Sequence, residues 1–361
     1  MSFKVSIQPS GHQFAVPDGD TVLQAGLAEG FNLPYGCRNG ACGSCKGKIT
    51  EGRVDYGKHN PAALSEADKT AGYALFCCAR PLTDLTIEVR EIGAAKDIVV
   101  RKLPCRVQRI DRPAEDVTIL HLKLPASERL QFLAGQYIEF ILKDGRRRAF
   151  SMANPPEEEE LTELHIRRVP GGAFTDYVWE KLKERDILRF EGPLGSFYLR
   201  EDSDKPAVFV ASGTGFAPIK SILEHALRKG IARPMALYWG ARRRKDLYML
   251  EKPEQWAREH AHFRFVPVLS EPTSECGWTG RTGLVHQAVM ADCPDLSGSQ
   301  VYACGVPAMV DAARSDFTGS CRLPPEEFYA DSFTTGADVA AAQGSPSRQQ
   351  APDKAAPAAR P

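Results

Sequence analysis

Cysteine spacing is the feature of this 361-residue chain that points most directly to chemistry. Cys37, Cys42 and Cys45 lie in one short segment, with four residues between the first pair and two between the second. This spacing suits a 2Fe–2S cluster, because two irons and their bridging sulfides need four thiolates around a compact core. The fourth thiolate must come from a distant segment, where Cys77 and Cys78 are adjacent candidates.

Glycines at positions 36, 40 and 43 fit this interpretation, because they allow unusual φ angles and let backbone N–H groups approach the cluster sulfides. Zinc is the weaker alternative, since a zinc site usually pairs two Cys-x-x-Cys-like segments and no second one follows. A disulfide framework would suit a secreted chain, but no signal segment opens this one. The ten cysteines are therefore expected in a reducing compartment, the cytoplasm.

Residues that suit a flavin dinucleotide lie in and after the segment RRRAFSMAN. Arg148, Phe150 and Ser151 offer, in that order, a cation for the pyrophosphate, an aromatic surface for the ring and a hydrogen-bond partner near N5. Taken alone, an ordinary cationic edge strand explains these residues equally well. Gly171 and Gly172 favour the flavin, because a glycine turn before a helix exposes N–H groups where a phosphate can sit.

A dinucleotide-binding turn is indicated further along the chain. Gly213, Thr214, Gly215 and Pro218 belong to the segment GTGFAP, which follows a predicted strand and opens a predicted helix. The acidic residue expected about 20 positions on, which binds a ribose in ordinary Rossmann folds, is absent from the sequence. This departure argues against a standard Rossmann fold. The cations that follow in ARRRK are in part a solvated charge run.

The elements that must position these residues fall into three units. Residues 1–95 contain a predicted hairpin, a short helix and a closing strand, wrapped around the cysteine loop. Residues 100–202 contain alternating apolar runs that predict antiparallel strands and a barrel, with one helix at 173–183. Residues 203–335 alternate apolar strands with amphipathic helices, which predicts a parallel α/β sheet.

Composition limits the classes of function. Lysine plus arginine and aspartate plus glutamate both number 46, so no global basic field indicates nucleic acid. No uninterrupted apolar run is long enough to span a bilayer, so no membrane span is expected. Residues 336–361 are rich in Ala, Pro, Gly, Ser and Gln and are expected to be a disordered tail.

Together these segments resemble the fused reductases of the ferredoxin–NADP reductase superfamily that serve multicomponent oxygenases. The resemblance covers about residues 3–333. It implies a multidomain α+β and α/β fold, with a β-grasp plant-type ferredoxin domain, an antiparallel FAD-binding β-barrel and a parallel α/β NAD-binding domain. The segments GCRNGACGSCKGKITEG and RRAFSMAN are most similar to those of CDP-6-deoxy-Δ3,4-glucoseen reductases.

The resemblance also implies roles for individual residues of the first two units. Cys77 is the implied fourth iron ligand, because a Leu-x-Cys-x-x-x-Pro segment supplies the last thiolate in plant-type ferredoxins. Cys78 is then a small buried side chain. Phe150 stands where tyrosine is usual in the flavin motif, and Thr175 is the implied helper of the glycine turn at the pyrophosphate.

In the third unit, the GTGFAP segment is similar to the nicotinamide motif of these reductases, with Arg242 on the adenosine side. Cys304 and Gly305 match a Cys-Gly pair whose thiol lies beside the nicotinamide ring. Ser151 and Cys304 are therefore the implied catalytic residues. The ending EEFYADSF resembles an aromatic segment that can cover the flavin, and the sequence leaves Tyr329 and Phe333 open as the covering residue.

The implied function is an NAD(P)H-dependent reductase that passes electrons through FAD and a 2Fe–2S cluster to a partner protein. NADH is the expected coenzyme, and NADPH stays open. The acceptor is either a nucleotide-sugar dehydratase or a terminal oxygenase component, and the loop at 38–41 is its expected exposed docking surface. A redox-sensing carrier without turnover is the remaining alternative.

Overall fold

The computed structural model describes residues 2–91 and 98–334. The predicted tail at 336–361 lies outside the described residues. In chain order, the described residues form a mixed sheet, an antiparallel barrel and a parallel sheet, which confirms the predicted fold class. None of the helices in these two segments is long and apolar enough to cross a membrane.

The first unit is a mixed sheet against which a short helix packs. Its elements are β1 (Ser2–Gln8), β2 (Gln13–Pro17), α1 (Val22–Ala28), β3 (Lys46–Glu51), β4 (Val54–Asp55), α2 (Glu66–Thr70), β5 (Tyr73–Leu75), β6 (Arg80–Pro81) and β7 (Leu85–Glu88). The main strand order is β2-β1-β7-β3-β5, and β1 and β2 form the predicted antiparallel hairpin. Thr21 caps α1 by accepting a hydrogen bond from the Gln24 N–H group. Apolar side chains of α1 and the sheet share one core, which includes Cys45.

The second unit is an antiparallel sheet closed into a barrel. Its elements are β8 (Arg101–Ala114), β9 (Val117–Lys123), β10 (Tyr137–Ile141), β11 (Arg147–Ser151), β12 (Thr162–Arg167), α3 (Ala173–Glu180) and β13 (Ile187–Leu194). The strand order is β11-β10-β13-β8-β9-β12, and a bridge between Met152 and Leu164 joins its two ends. Phe174 and Val178 of α3 pack into the barrel core. The helix ends at Glu180, three residues before the predicted end.

The third unit is a parallel sheet with helices on both faces. Its elements are β14 (Ala207–Ser212), α4 (Phe216–Arg228), β15 (Met235–Ala241), α5 (Glu251–Glu259), β16 (Phe263–Leu269), β17 (Arg281–Thr282), α6 (Val285–Asp292), β18 (Gln300–Gly305), α7 (Pro307–Gly319) and β19 (Phe328–Ser332). The strand order is β17-β16-β15-β14-β18-β19, with every neighbouring pair parallel. The side chains of β14 alternate between two cores, one shared with α4 and α5 and the other with α6 and α7.

Four elements of this unit were not expected from the sequence, namely β17, α5, α6 and β19. Helix α5 is largely polar and buries only Pro253 and Trp256, so it offers few apolar residues from which a helix could be predicted. Helix α6 likewise has little contrast between its faces. The aromatic segment EEFYADSF continues into β19, an edge strand that pairs with β18.

The first unit packs against both of the others. The Ser196 hydroxyl donates to the Tyr35 carbonyl oxygen at 2.8 Å and accepts from the Tyr35 N–H group at 2.9 Å. The Ser44 hydroxyl, inside the cysteine loop, donates to the Ala330 carbonyl oxygen of β19 at 2.9 Å. The cysteine loop therefore lies between the barrel and the parallel sheet.

Candidate functional site

The four cysteines predicted to bind iron form two thiol pairs. The N–H groups of Cys37 and Cys42 each donate to the other residue's sulfur at 3.3 Å, and the Cys77 thiol lies near that of Cys45, which raises the pKa of Cys77. Two pairs fit a two-iron cluster, in which each iron takes two thiolates and shares bridging sulfides. Among the described residues, no three His, Cys, Asp or Glu side chains converge on a single ion, as a zinc site would require. The donor set therefore fits the 2Fe–2S group.

The choice between Cys77 and Cys78 follows from their neighbours. Cys77 contacts Cys45, whereas the sulfur of Cys78 contacts that of Cys77 at 3.6 Å. Gly40 lies behind Cys78, and a Cβ atom on Gly40 would come within 2.7 Å of the Cys78 sulfur. With φ at +79°, this position also favours glycine conformationally. The arrangement favours Cys77 as the fourth ligand.

The loop at 38–41 faces inward. Arg38 forms an ion pair with Glu139 of the barrel, and Gly40 and Ala41 are buried. Asn39 is exposed but lines the cavity described below. The exposure expected of this loop is therefore found at Asn39, whereas packing against the barrel, which local sequence does not encode, buries Gly40 and Ala41. Docking of the acceptor at this loop stays a prediction.

A cavity of about 1310 Å³ lies where the three units meet. It exceeds the usual volume of a small-molecule pocket, roughly 300–1,000 Å³, and so has room for more than one nucleotide group. Its wall includes Cys37 of the first unit. It also includes these residues predicted from the sequence: Arg148, Phe150, Ser151, Gly171, Gly172, Thr175, Gly213, Thr214 and Arg242. Gly215, Pro218, Cys304 and Gly305 are not lining residues.

Strand β11 brings the three flavin candidates to this cavity. Arg148 has no carboxylate partner within residues 2–91 and 98–334, whereas Arg147 pairs with Glu139 and Glu191. Phe150 packs on Phe174 of α3, with ring centroids 5.4 Å apart. Arg148 is therefore a cation available to an anionic group.

Ser151 lies beside a carboxyl group that the sequence analysis did not single out. The buried Ser151 hydroxyl donates to Asp331 of β19 at 3.4 Å. Burial, together with the negative charge of Cys42, raises the pKa of Asp331 to about 7, although the Ser151 hydrogen bond opposes the shift. The sequence does carry a signal for this residue, because Asp331 is acidic and lies within an otherwise largely apolar and aromatic strand.

The glycine turn before α3 is arranged differently from the prediction. The Gly172 N–H group donates to the Val169 carbonyl oxygen at 2.8 Å, and the Gly171 N–H group donates to Asp176 at 3.1 Å. The Thr175 hydroxyl is likewise bonded within the turn, donating to the Val169 carbonyl oxygen at 3.0 Å. The amides available to an anion are therefore those of Ala173 and Phe174 in the first turn of α3.

The GTG segment forms a tight 3₁₀ turn at Gly213–Gly215 that leads into α4. A Cβ atom on Gly215 would lie 2.1 Å from the Cys304 carbonyl oxygen, and one on Gly305 would lie 2.0 Å from the Ser212 hydroxyl oxygen. These glycines let β14 and β18 approach closely at the cavity edge. Cys304 is fully buried behind this turn, and burial raises its thiol pKa well above the ordinary value.

Two further cavity residues, Arg167 and His165, were missed because no motif contains them. Arg167 pairs with Asp116 at 2.9 Å, yet its Nε and Nη2 atoms are buried and find no hydrogen-bond partner among the described residues. The fully buried His165 side chain joins Glu163 at 2.7 Å and the Tyr248 hydroxyl at 2.8 Å. The two guanidinium nitrogens without a partner, in a cavity wall, indicate an anionic or acceptor group of a ligand.

The two aromatic residues left open by the sequence lie in different places. Phe333 lines the cavity. Tyr329 stacks on Tyr302 with ring centroids 4.9 Å apart, and the Arg200 guanidinium lies over its ring at 4.5 Å. Of these two residues, Phe333 is therefore the one whose ring is available to a ligand in the cavity.

Comparisons with known proteins agree with this architecture. Three family models match: the 2Fe–2S iron-sulfur cluster binding domain at residues 5–82, the oxidoreductase FAD-binding domain at 104–198 and the oxidoreductase NAD-binding domain at 209–315. These domains, in this order around one cavity, define an NAD(P)H-dependent iron–sulfur flavoprotein reductase.

Relatives match along nearly their whole length. The CDP-6-deoxy-L-threo-D-glycero-4-hexulose-3-dehydrase reductase of Yersinia pseudotuberculosis is 40% identical over 333 residues, 92% of this chain and 99% of the relative. The reductase component of phenol 2-monooxygenase from Pseudomonas sp. (strain CF600) is 37% identical, covering 94% and 97%. The crystal structure of an Amycolatopsis cytochrome P450 reductase has a TM-score of 0.73 at 36% identity, covering 92% and 99%.

The chain therefore belongs to the family of fused ferredoxin–flavin reductases that includes these proteins. It is an NAD(P)H-dependent oxidoreductase with FAD and a 2Fe–2S cluster as cofactors, and it delivers electrons to a protein acceptor. The alternative of a carrier without turnover is set aside, because the relatives are reductases along their whole length.

Proposed function

We propose that the nicotinamide, the flavin and the cluster meet at the shared cavity. In this proposal, domain 203–335 mainly holds the nicotinamide, domain 100–202 the flavin and domain 1–95 the cluster. The supporting observation is that Cys37, Ser151 and Gly213, one from each unit, line the same cavity. When bound, FAD supplies the conversion of a two-electron hydride into single electrons. The chain's own residues must then hold these groups within reach of one another.

On the flavin side, Arg148 binds the pyrophosphate, assisted by the free amides of Ala173 and Phe174 at the start of α3. Gly171, Gly172 and Thr175 act by shaping this turn rather than by donating to the phosphate. Phe150 and Phe333 supply apolar surface to the ring system. This assignment modifies the sequence prediction, in which the glycine amides themselves bind the anion.

Ser151 and Asp331 hold a proton at the wall of the cavity. Because the pKa of Asp331 is raised to about 7, its carboxyl group is protonated for part of the time at neutral pH. Ser151 and Asp331 both line the cavity, and Ser151 can carry the hydrogen bond of this carboxyl group toward flavin N5. The pair is therefore proposed as a proton store for the reduced flavin.

On the nicotinamide side, Gly213 and Thr214 form the floor, with Gly215 and Gly305 keeping the strands close behind it and Pro218 buried in the first turn of α4. Arg167, with two unpartnered nitrogens among the described residues, is proposed to bind the coenzyme pyrophosphate. Cys304 keeps its predicted catalytic role only if the turn moves to admit the ring, since its side chain is fully buried.

NADH is the proposed coenzyme. Arg242 lines the cavity as an exposed cation, while Lys245 of the same run pairs with Glu115 at 2.8 Å. The test compares kcat/KM for NADH and NADPH in the wild type and in Arg242→Ala. A strong preference for NADPH that disappears in the variant would overturn the assignment.

The proposed acceptor is a nucleotide-sugar dehydratase, in keeping with the Yersinia relative, and the alternative is an oxygenase component. NADH oxidation should accelerate when purified hexulose-3-dehydrase from that system is added, and single electrons should reach it. Stimulation only by an oxygenase component would favour the alternative. A cytoplasmic location is proposed as well, since the ten cysteines, all of them among the described residues, form no disulfide.

A further inference from the structure

Cys78 is not needed as a ligand, yet its thiol contacts one. The sulfur atoms of Cys77 and Cys78 are 3.6 Å apart, within hydrogen-bond range for sulfur. Cys78 is held in place by two glycines, because Cβ atoms would lie 2.7 Å from its sulfur at Gly40 and 2.7 Å from its carbonyl oxygen at Gly57. Its side chain is therefore wedged between the ligand loop and the segment that carries Cys77.

The direction of this hydrogen bond follows from the chemistry of a ligand. An iron-bound cysteine is a thiolate and has no proton to donate. If Cys77 binds iron, as proposed above, Cys78 must be the donor. The backbone N–H group of Cys78 is already committed to the Leu75 carbonyl oxygen at 2.9 Å, so only the thiol can serve Cys77 from this residue.

We propose that the Cys78 thiol donates a hydrogen bond to the Cys77 thiolate and thereby raises the reduction potential of the cluster. Reduction adds negative charge to the irons and their sulfur ligands. A donor to a ligand sulfur stabilises that charge, which is one of the ways in which proteins set cluster potentials. Cys78 is thus a positioning residue for electron transfer rather than the plain buried side chain expected from the sequence.

The test compares Cys78→Ala, which lacks a donor, with Cys78→Ser, which keeps one. The matched control is Cys105→Ala, since Cys105 is a buried thiol of the barrel core. The cluster potential is measured on each holoenzyme by an EPR-monitored redox titration, with iron and sulfide content determined alongside. In Cys78→Ala the equilibrium constant for reduction should fall about tenfold, which corresponds to about 59 mV for one electron. The equilibrium constant for reduction should fall less in Cys78→Ser, and in the Cys105→Ala control it should match that of the wild type.

A Cys78→Ala variant with full cluster content and the wild-type potential would overturn the proposal. If that variant assembles no cluster, the infrared S–H stretch of the wild-type holoenzyme decides instead. A bonded S–H band that disappears in Cys78→Ser supports the proposal, and its absence contradicts it. A Cys77→Ser variant that keeps a normal cluster, while Cys78→Ser loses it, would make Cys78 the ligand. Wild-type protein without iron and sulfide would instead overturn the proposed function itself.

Discussion

Arg148 differs from its neighbour Arg147 in having no carboxylate partner among the described residues. Replacement of Arg148 by alanine should raise the Kd for FAD roughly 10–100-fold, because charge-assisted hydrogen bonds contribute about 1.5–3 kcal/mol. Arg189→Ala is the control, since this exposed arginine of β13 does not line the cavity. Equilibrium dialysis of each apoprotein variant with FAD measures the two Kd values. Equal affinities in the two variants would contradict the pyrophosphate assignment.

Asp331 gives the site a pH dependence of a definite sign. Its pKa is raised in the folded state from 3.8 to about 7, so the folded protein holds this proton more tightly than the unfolded chain does. The associated stability is full below the unfolded pKa and is lost as the pH rises through about 7. Asp331→Asn should therefore gain thermal stability relative to the wild type at high pH and not at low pH.

The measurement compares unfolding midpoints of the two proteins at about pH 5 and about pH 8.5, on either side of the folded-state pKa of about 7. Asp144→Asn is the control, because Arg146 lowers the pKa of Asp144, so this carboxylate stays ionised at both pH values and its variant should differ from the wild type equally at both. If the unfolding midpoints of the wild type and Asp331→Asn differ by the same amount at both pH values, Asp331 is not a titrating group of the site.

At the scale of elements, the turn between β14 and α4 depends on close approach to β18. A Cβ atom on Gly215 would lie 2.1 Å from the Cys304 carbonyl oxygen, a contact that only backbone movement can relieve. Gly215→Ala should therefore destabilise the protein by about 1–3 kcal/mol and weaken NADH binding. Gly319→Ala is the matched control, because nothing lies within 4 Å of its added Cβ atom. Unfolding and NADH titrations of the two variants check this prediction. Equal free energies of unfolding and equal affinities for NADH would contradict the proposed close approach at the turn.

The sequence identifies elements and residues that lie in continuous patterns. The hairpin of β1 and β2, the alternation of strands and helices after residue 203 and the cysteine loop all carry their signals within a few neighbouring residues. Helix α5 has few apolar residues, helix α6 has little contrast between its faces, and strand β19 was hidden by its resemblance to a terminal aromatic segment. Local patterns fail where tertiary contacts decide the element.

The same limit applies to the site. Asp331 reaches the cavity from β19, whereas His165 and Arg167 reach it from β12, and no spacing rule connects them with the flavin or nicotinamide motifs. The inward orientation of the loop at 38–41 depends on Glu139, about one hundred residues away. Such residues become visible only when three units pack around one space.

At the scale of the whole molecule, electron transfer depends on how firmly the first unit docks onto the barrel. Ser196→Ala leaves the buried Tyr35 N–H group without its acceptor, which weakens docking by about 1–3 kcal/mol. Flavin-to-cluster transfer should slow, while NADH-to-flavin transfer keeps its rate. Stopped-flow absorbance separates the two phases, with the exposed Ser297→Ala as control. A slower first phase with an unchanged second phase would contradict this role for the interface.

The central claim is that one chain carries electrons from NADH through the flavin to the cluster. Its most direct test is an anaerobic titration of the purified holoenzyme with NADH, followed by absorbance and EPR, after iron and sulfide have been quantified. The account predicts that the flavin and cluster bands bleach together and that the reduced cluster gives an EPR signal at a rate independent of protein concentration. A flavin that bleaches while a fully assembled cluster stays oxidised would contradict the account.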